Sequence, residues 1–467
     1  MHEPVTDPSV IEGYLTDASN VQGHADGLVR PSSTEEVAAI VAHCQQHGIP
    51  LTVSAGRTST TAASVPFGGW ILSMERMTDI LDIGHDTATA QGGIFLGAFQ
   101  TEIEATGRFF PPDPTSRHEA TLGAAIACNA SGARSFRYGP TRPWVQALTV
   151  VLPSGEVLRI ERGDAVPADW PVPQWAEPKV KTAAGYAPSA DAVDVFIGQE
   201  GTLGIITEAT VRLTDLPGDV MGVLAYFPTR QTLLDFVATA RDAARADRSG
   251  ALSPRCLEYY DANCLALARD RVGGVPDDAV CALFCEQEVV PDVGEEGHME
   301  RWWEALTDAG ALADDTLIAT DGPTRQTLLS LRHAIPAGVN EEVIANGMPK
   351  VGTDLAVPDA ALAELMDAYE AAPMRHVLFG HIGDNHLHLN LLPKTPEELE
   401  RARAYYTELV GHALALGGTV SAEHGIGKLK VDYLSKMVGP QVLTEFRALK
   451  ARLDPAWILG RGTLLAP

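Results

Sequence analysis

The residues best placed to do chemistry fall in two short stretches. In His381-Ile382-Gly383-Asp384-Asn385-His386-Leu387-His388 three imidazoles stand within eight positions. In Ser421-Ala422-Glu423-His424-Gly425-Ile426-Gly427 a carboxylate and an imidazole are adjacent, ahead of glycines that permit a tight approach. Two imidazoles and one carboxylate suit a divalent cation and leave coordination positions open for a substrate. The first stretch reads as a hairpin: Val377-Leu378-Phe379-Gly380 runs into His381, Gly383-Asp384-Asn385 makes the turn, and the return strand alternates. Period two then puts His386, His388 and Asn390 on one face and Leu387, Leu389 and Leu391 on the core face. An isolated His-x-His is more often a pair of exposed sheet residues, and a lone glutamate a solvated charge. Here the histidines coincide with Glu423 and His424, and the coincidence favours a metal site.

The N-terminal half carries elements of another kind. Ser33 can cap a helix, with Glu36 closing the capping box; Val37, Ile40, Val41 and Cys44 recur at helical spacing and Gly48 ends it. A short strand, Ile49 to Val53, leads into a loop of small and hydroxyl residues, Ser54-Ala55-Gly56-Arg57-Thr58-Ser59-Thr60-Thr61-Ala62-Ala63-Ser64, and Trp70-Ile71-Leu72-Ser73 is strand-like again. Strand, small-residue loop, strand lets a backbone approach a phosphate closely. Alone it reads more readily as a plain surface loop. A second small-residue cluster follows in Pro111-Pro112-Asp113-Pro114-Thr115, Thr121 to Arg134, and Arg137-Tyr138-Gly139, and a third in Gly198-Gln199-Glu200-Gly201-Thr202-Leu203-Gly204-Ile205-Ile206. Three such segments are hard to assign to turns alone.

Together these segments resemble the vanillyl-alcohol oxidase superfamily, and more narrowly its D-lactate, glycolate and D-2-hydroxyglutarate dehydrogenase group, from about residue 25 to the end. The resemblance implies an α+β fold: a two-part FAD-binding domain over 1–214, a mixed α/β substrate-capping domain over 215–410 with the metal hairpin, and a segment over 411–467 that completes the active site and packs back on the FAD domain. It implies FAD contacts from Ser54, Gly56, Arg57, Thr58, Ser59, Pro112, Asp113, Thr115, Thr121, Gly123, Asn129, Ser131, Gly132, Tyr138, Gly139, Glu200, Gly204 and Ile206. The first loop departs from the usual glycine triplet, and it holds no histidine, so FAD is expected without a covalent link.

The family's Gly-His-x-Gly-Asp and Glu-His-Gly-x-Gly motifs both match, and they imply His381, His388 and Glu423 as ligands of one divalent metal, zinc first, with manganese and iron as alternatives. His386 stands where relatives carry Asn, so it is either a further ligand or an outer contact. His424 is the candidate base: a cation lowers the pKa of a bound hydroxyl, the imidazole takes the proton, and the Cα hydrogen passes to the flavin as hydride. Relatives with His in place of Glu423 perform different chemistry, so Glu423 argues for the dehydrogenase branch. Leu331-Arg332-His333 resembles the family's Leu-Arg-Glu, which makes Arg332 the clamp for a substrate carboxylate, and Lys350 is a second candidate contact. A Thr that assists in some relatives falls at Pro336, against a specific case for hydroxyglutarate.

The bulk numbers narrow the partners. The chain has 467 residues and a formal charge of −26, which repels nucleic acid and anionic membranes and requires a local Arg or Lys cluster for an anionic substrate. Six cysteines without a Cys-x-x-Cys pair argue against an iron–sulfur cluster, a zinc ribbon or a disulfide framework. The acidic start lacks a secretion signal and no apolar run is long enough to span a bilayer, so a cytoplasmic location is expected. Electrons must then pass to a separate acceptor: a quinone, an electron-transfer flavoprotein, a cytochrome or oxygen. A homodimer is compatible with the sequence. The expected activity is oxidation of a small D-2-hydroxy acid; the competing readings are a metal-dependent hydrolase and a non-catalytic flavin subunit of an oxidase complex.

Overall fold

The computed structural model describes residues 3–272, 274–319 and 322–466. The helix expected after Ser33 forms at Thr34–His47. The Ser33 hydroxyl accepts the Glu36 N–H at 3.3 Å, Gly48 ends the helix at φ 66°, and Val37, Ile40, Val41 and Cys44 are buried. The reciprocal bond is displaced by one residue, because Glu36 accepts the N–H of Ser32 at 2.7 Å. Strands Gly27–Val29, Trp70–Ser73 and Leu51–Ser54 form a parallel sheet with Trp70–Ser73 in the middle. Its Leu51 edge is closed from far down the chain: the Leu51 N–H donates to Ile458 O at 2.7 Å, and the Gly460 N–H donates to Leu51 O at 3.1 Å.

A five-stranded antiparallel sheet follows, in the order Ile80–Ile83, Thr87–Gln91, Ile205–Arg212, Val145–Val151, Val157–Glu161. The helix Leu122–Ala127 lies against its central strand. The two sheets and the loops between them enclose the space discussed below.

From Val220 the chain builds an eight-stranded sheet with all its pairings antiparallel. The sequence suggests short strands here, but Val220–Phe227 and Cys281–Glu288 each run eight residues. They are long because both faces are covered. Met221, Val223, Ala225 and Phe227 pack with Leu233, Phe236 and Trp302 of the helices Arg230–Ala246 and Gly294–Asp308. Leu224 and Tyr226 pack with Leu265 and Ile335 of the helices Ala262–Val272 and Gly322–Asn346. Burying one Leu or Phe stabilises by about 1.5–3 kcal/mol, so strands apolar on both faces gain twice along their length.

The hairpin forms at the expected place. His376–His381 pairs with His386–Leu391, and His381 lies opposite His386. A 3-10 turn over Ile382–Asp384 and Asn385 at φ 55° connect them. Asn tolerates that left-handed conformation better than most residues, and its side chain is held there: Asn385 Oδ1 accepts from Arg241, and its amide donates to Asp359 at 2.6 Å.

Candidate active site

Three imidazoles converge on one carboxylate. His381 Nε2 lies 3.5 Å and His388 Nε2 3.4 Å from Glu423 Oε1, and His386 Nδ1 lies 3.7 Å from Glu423 Oε2. One donor atom from each of the four residues falls within 4.8 Å of all the others. Donors about 2.1 Å from a common ion sit roughly 3 to 4 Å apart, a range that the three distances to Glu423 share.

The outer nitrogens of the rings are held as ligand histidines require. His381 Nδ1 lies 2.6 Å from Glu258 Oε1, and His388 Nδ1 donates to the Thr353 carbonyl at 3.1 Å, which turns the Nε2 lone pair inward. Burial alone would lower His381, but the carboxylates of Glu258 and Glu423 push it up to about 10. Burial would raise Glu423, yet Lys181, then His381 and His386, hold it well below the carboxylate range. The Lys181 ammonium, itself buried, donates to Glu423 Oε2 at 2.8 Å.

The loop Ser421–Gly427 is positioned by two buried carboxylates. Asp354 accepts the N–H groups of Ala422, Glu423 and His424 at 3.1–3.2 Å, the Ser421 hydroxyl at 2.7 Å and the Lys430 ammonium at 2.7 Å. Glu200 accepts the N–H groups of Ile426 and Gly427 at 2.7 and 2.8 Å, and burial pushes its carboxyl up to about 7. Gly425 has φ 75°, and a Cβ there would lie 2.9 Å from the Glu200 carboxylate. His424 follows from this loop geometry. Its ring stacks on His388 at 5.4 Å and 12°, and desolvation pushes it down to about 4 against the opposing pull of Asp354 and Glu423.

Glu423 and His424 also line one cavity of about 590 Å³ whose remaining walls come from the N-terminal half. Of the residues expected to touch FAD, it is lined by Gly56, Arg57, Thr58, Ser59, Thr115, Thr121, Gly123, Ser131, Glu200, Gly204 and Ile206. The others are not among its lining residues. Ser54 is fully buried. The Pro112 carbonyl accepts from Gln100 at 2.6 Å, and Asp113 pairs with Arg134 at 3.3 Å. Asn129, at φ 48°, accepts the Arg142 N–H at 3.0 Å. A Cβ on Gly132 would lie 2.1 Å from Asp113 O. Tyr138 donates to Glu288 and packs edge-on against Trp144, and Gly139 ends the short helix Ser135–Tyr138 at φ 73°. Volume and small-residue walls suit a dinucleotide, since ligand cavities run about 300–1,000 Å³.

Arg332 lies over the Phe284 ring at 5.3 Å. Burial would lower its guanidinium, but Glu258 foremost holds it above the ordinary range. Lys350 is exposed, next to the strand Val351–Gly352. A second cavity of about 600 Å³ borders the hairpin turn and counts Lys179, Lys181, Arg245 and Arg248 among its lining.

Sequence reasoning missed Lys181, Glu258 and Asp354. Glu258 carried a signal: together with Arg255 it sets two charges into the wholly buried strand Pro254–Tyr260, where a charge needs a partner. Lys181 and Asp354 lie in irregular segments where spacing says nothing.

The chain matches the family model for FAD linked oxidases, C-terminal domain, over residues 224–464, and that for the FAD binding domain over 25–161. It is 31% identical to a D-2-hydroxyglutarate dehydrogenase of Xanthomonas citri pv. viticola, over 98% of this chain and 93% of the relative. It is 30% identical to a D-lactate dehydrogenase of Anaerostipes hadrus and 29% identical to the glycolate oxidase subunit GlcD of Bacillus subtilis, each over 97% of this chain and 92% of the relative. The fold is similar to p-cresol methylhydroxylase (TM-score 0.69, 16% identity, 98% of this chain and 93% of that one). It is also similar to alkyldihydroxyacetonephosphate synthase (TM-score 0.68, 20% identity, 94% and 76%).

Proposed function

This chain belongs to the FAD-linked oxidases, and on that premise we propose that it oxidises a small D-2-hydroxy acid of the lactate, glycolate or 2-hydroxyglutarate class to the 2-oxo acid. One observation carries the reading: Glu423 and His424 stand both beside the histidine cluster and in the wall of the cavity that the FAD-binding half encloses. A substrate there meets both. His381, His388 and Glu423 would hold a divalent ion, of which zinc, manganese and iron(II) all suit the donors. The ion would lower the pKa of the substrate hydroxyl, and non-covalent FAD would supply the two-electron acceptor.

The chain's own residues do the rest. His424 is neutral over the physiological range, since its pKa lies near 4, and its ring takes the hydroxyl proton. Asp354 positions that residue by accepting the His424 backbone N–H at 3.1 Å. Arg332 is the proposed clamp for the substrate carboxylate.

The test is anaerobic addition of D-lactate, glycolate and D-2-hydroxyglutarate to the yellow protein, before and after chelation and metal restoration. Bleaching by one acid, lost on chelation and regained with metal, is the expected result. A yellow protein that no acid bleaches would point to a non-catalytic flavin subunit, and a colourless one that takes up no FAD to a metal-dependent hydrolase.

A further inference from the structure

We infer that His386 is a fourth protein ligand, so that this chain holds its ion with three imidazoles and one carboxylate; the inference rests on the metal site proposed above. The ring is wholly buried. Its Nδ1 makes no hydrogen bond and faces Glu423 Oε2 at 3.7 Å. Its Nε2 lies 2.9 Å from Asp354 Oδ1, close but off the line of a hydrogen bond. A histidine kept only for packing would have its buried nitrogens paired, because an unmet buried polar atom costs about 1–3 kcal/mol.

His381 and His388 pair Nδ1 with Glu258 and Thr353 and turn Nε2 toward Glu423, whereas His386 is reversed, with Nε2 beside Asp354 and Nδ1 toward Glu423. His386 stands 4.4 Å, ring centre to ring centre, from His388 and 5.5 Å from His381. It sits opposite His381 across the hairpin, so the same register that builds the site delivers it.

The consequence concerns the choice of ion. Four protein ligands close a tetrahedral shell, the geometry in which zinc is usually found when fully ligated by protein. A substrate can then coordinate only to an ion that takes five or six ligands, which favours manganese or iron(II). Asp354 is a positioning residue in this arrangement, since it faces His386 while holding the Glu423 loop.

The experiment uses the FAD-loaded protein, stripped of metal and reloaded with Mn²⁺. X-ray absorption should count three imidazoles in a shell of five or six ligands. Competition with a chelator should show Mn²⁺ affinity falling by about 100-fold or more in His386→Asn, beyond what loss of an outer partner usually does. The flavin absorbance and thermal unfolding of that variant should stay as in the parent. Two imidazoles, a four-coordinate shell, or unchanged affinity in the variant would overturn the inference and leave the metal site standing. A parent protein that binds no Mn²⁺ or Zn²⁺ would overturn both, and the absorption measurement needs no variant to fold.

Discussion

Glu200 joins the two halves of the site through a single side chain, and its burial makes it pH-sensitive. Its carboxyl rises from an ordinary 4.5 to about 7, so between those values the folded protein binds a proton that the unfolded chain releases. Stability from this group is therefore present at low pH and lost as pH rises from about 4.5 through about 7. Glu200→Gln removes that dependence. The melting temperature of the parent minus that of the variant should fall across this window and level off above it, and a difference that is flat or rising would refute the burial argument. Much at this scale was legible: His381, His388, Glu423 and His424 are residue types with few other reasons to cluster. The glycines were read less well, because two reasons for glycine look identical in sequence. A Cβ on Gly56 would lie 1.9 Å from Glu119 O and one on Gly204 2.6 Å from Val150, so these sites answer to protein packing as well as to the cavity they line.

The hairpin is the element on which the cluster depends. Its turn needs Asn385 in a left-handed conformation, paired with Arg241 and Asp359. Asn385→Ala should destabilise by about 2–4 kcal/mol, combining roughly 1–2 for the backbone with 1–2 for the lost side-chain bonds. Asn385→Gly should recover the backbone part; urea titration of both variants measures the split, and an alanine variant as stable as the parent would sink the claim that this turn is held by its side chain. The hairpin could be seen in advance because alternation and turn residues are local signals. The loop Ser421–Gly427 could be seen as a motif but not placed, since what places it is Asp354, in an irregular stretch before the hairpin. The doubly covered strands were underestimated because a strand buried on both faces loses the period-two signal that marks a half-buried one.

At the scale of the whole molecule, a net charge of −26 surrounds a site meant for an anion. Long-range repulsion should slow substrate capture, and salt should relieve it as the screening length shrinks from about 30 Å at 0.01 M to about 8 Å at 0.15 M. We expect kcat/KM to rise by about twofold or more over that range. A fall would mean that the local cations, Lys179, Lys181, Arg245 and Arg248 around the second cavity, dominate the field that the substrate meets. The sequence reads a cofactor half and a cap from where the small-residue segments stop, and only the resemblance implies the return of the far segment, which meets the first sheet at Leu51. The pairing of Leu51 with Ile458 and Gly460 has a consequence in time. A ribosome adding about 5–20 residues per second needs roughly 20–80 s to reach the partner of an edge it laid down some 400 residues earlier. Throughout that interval the first sheet carries a bare Leu51 edge, a strand-pairing template that waits for its own chain to cover it.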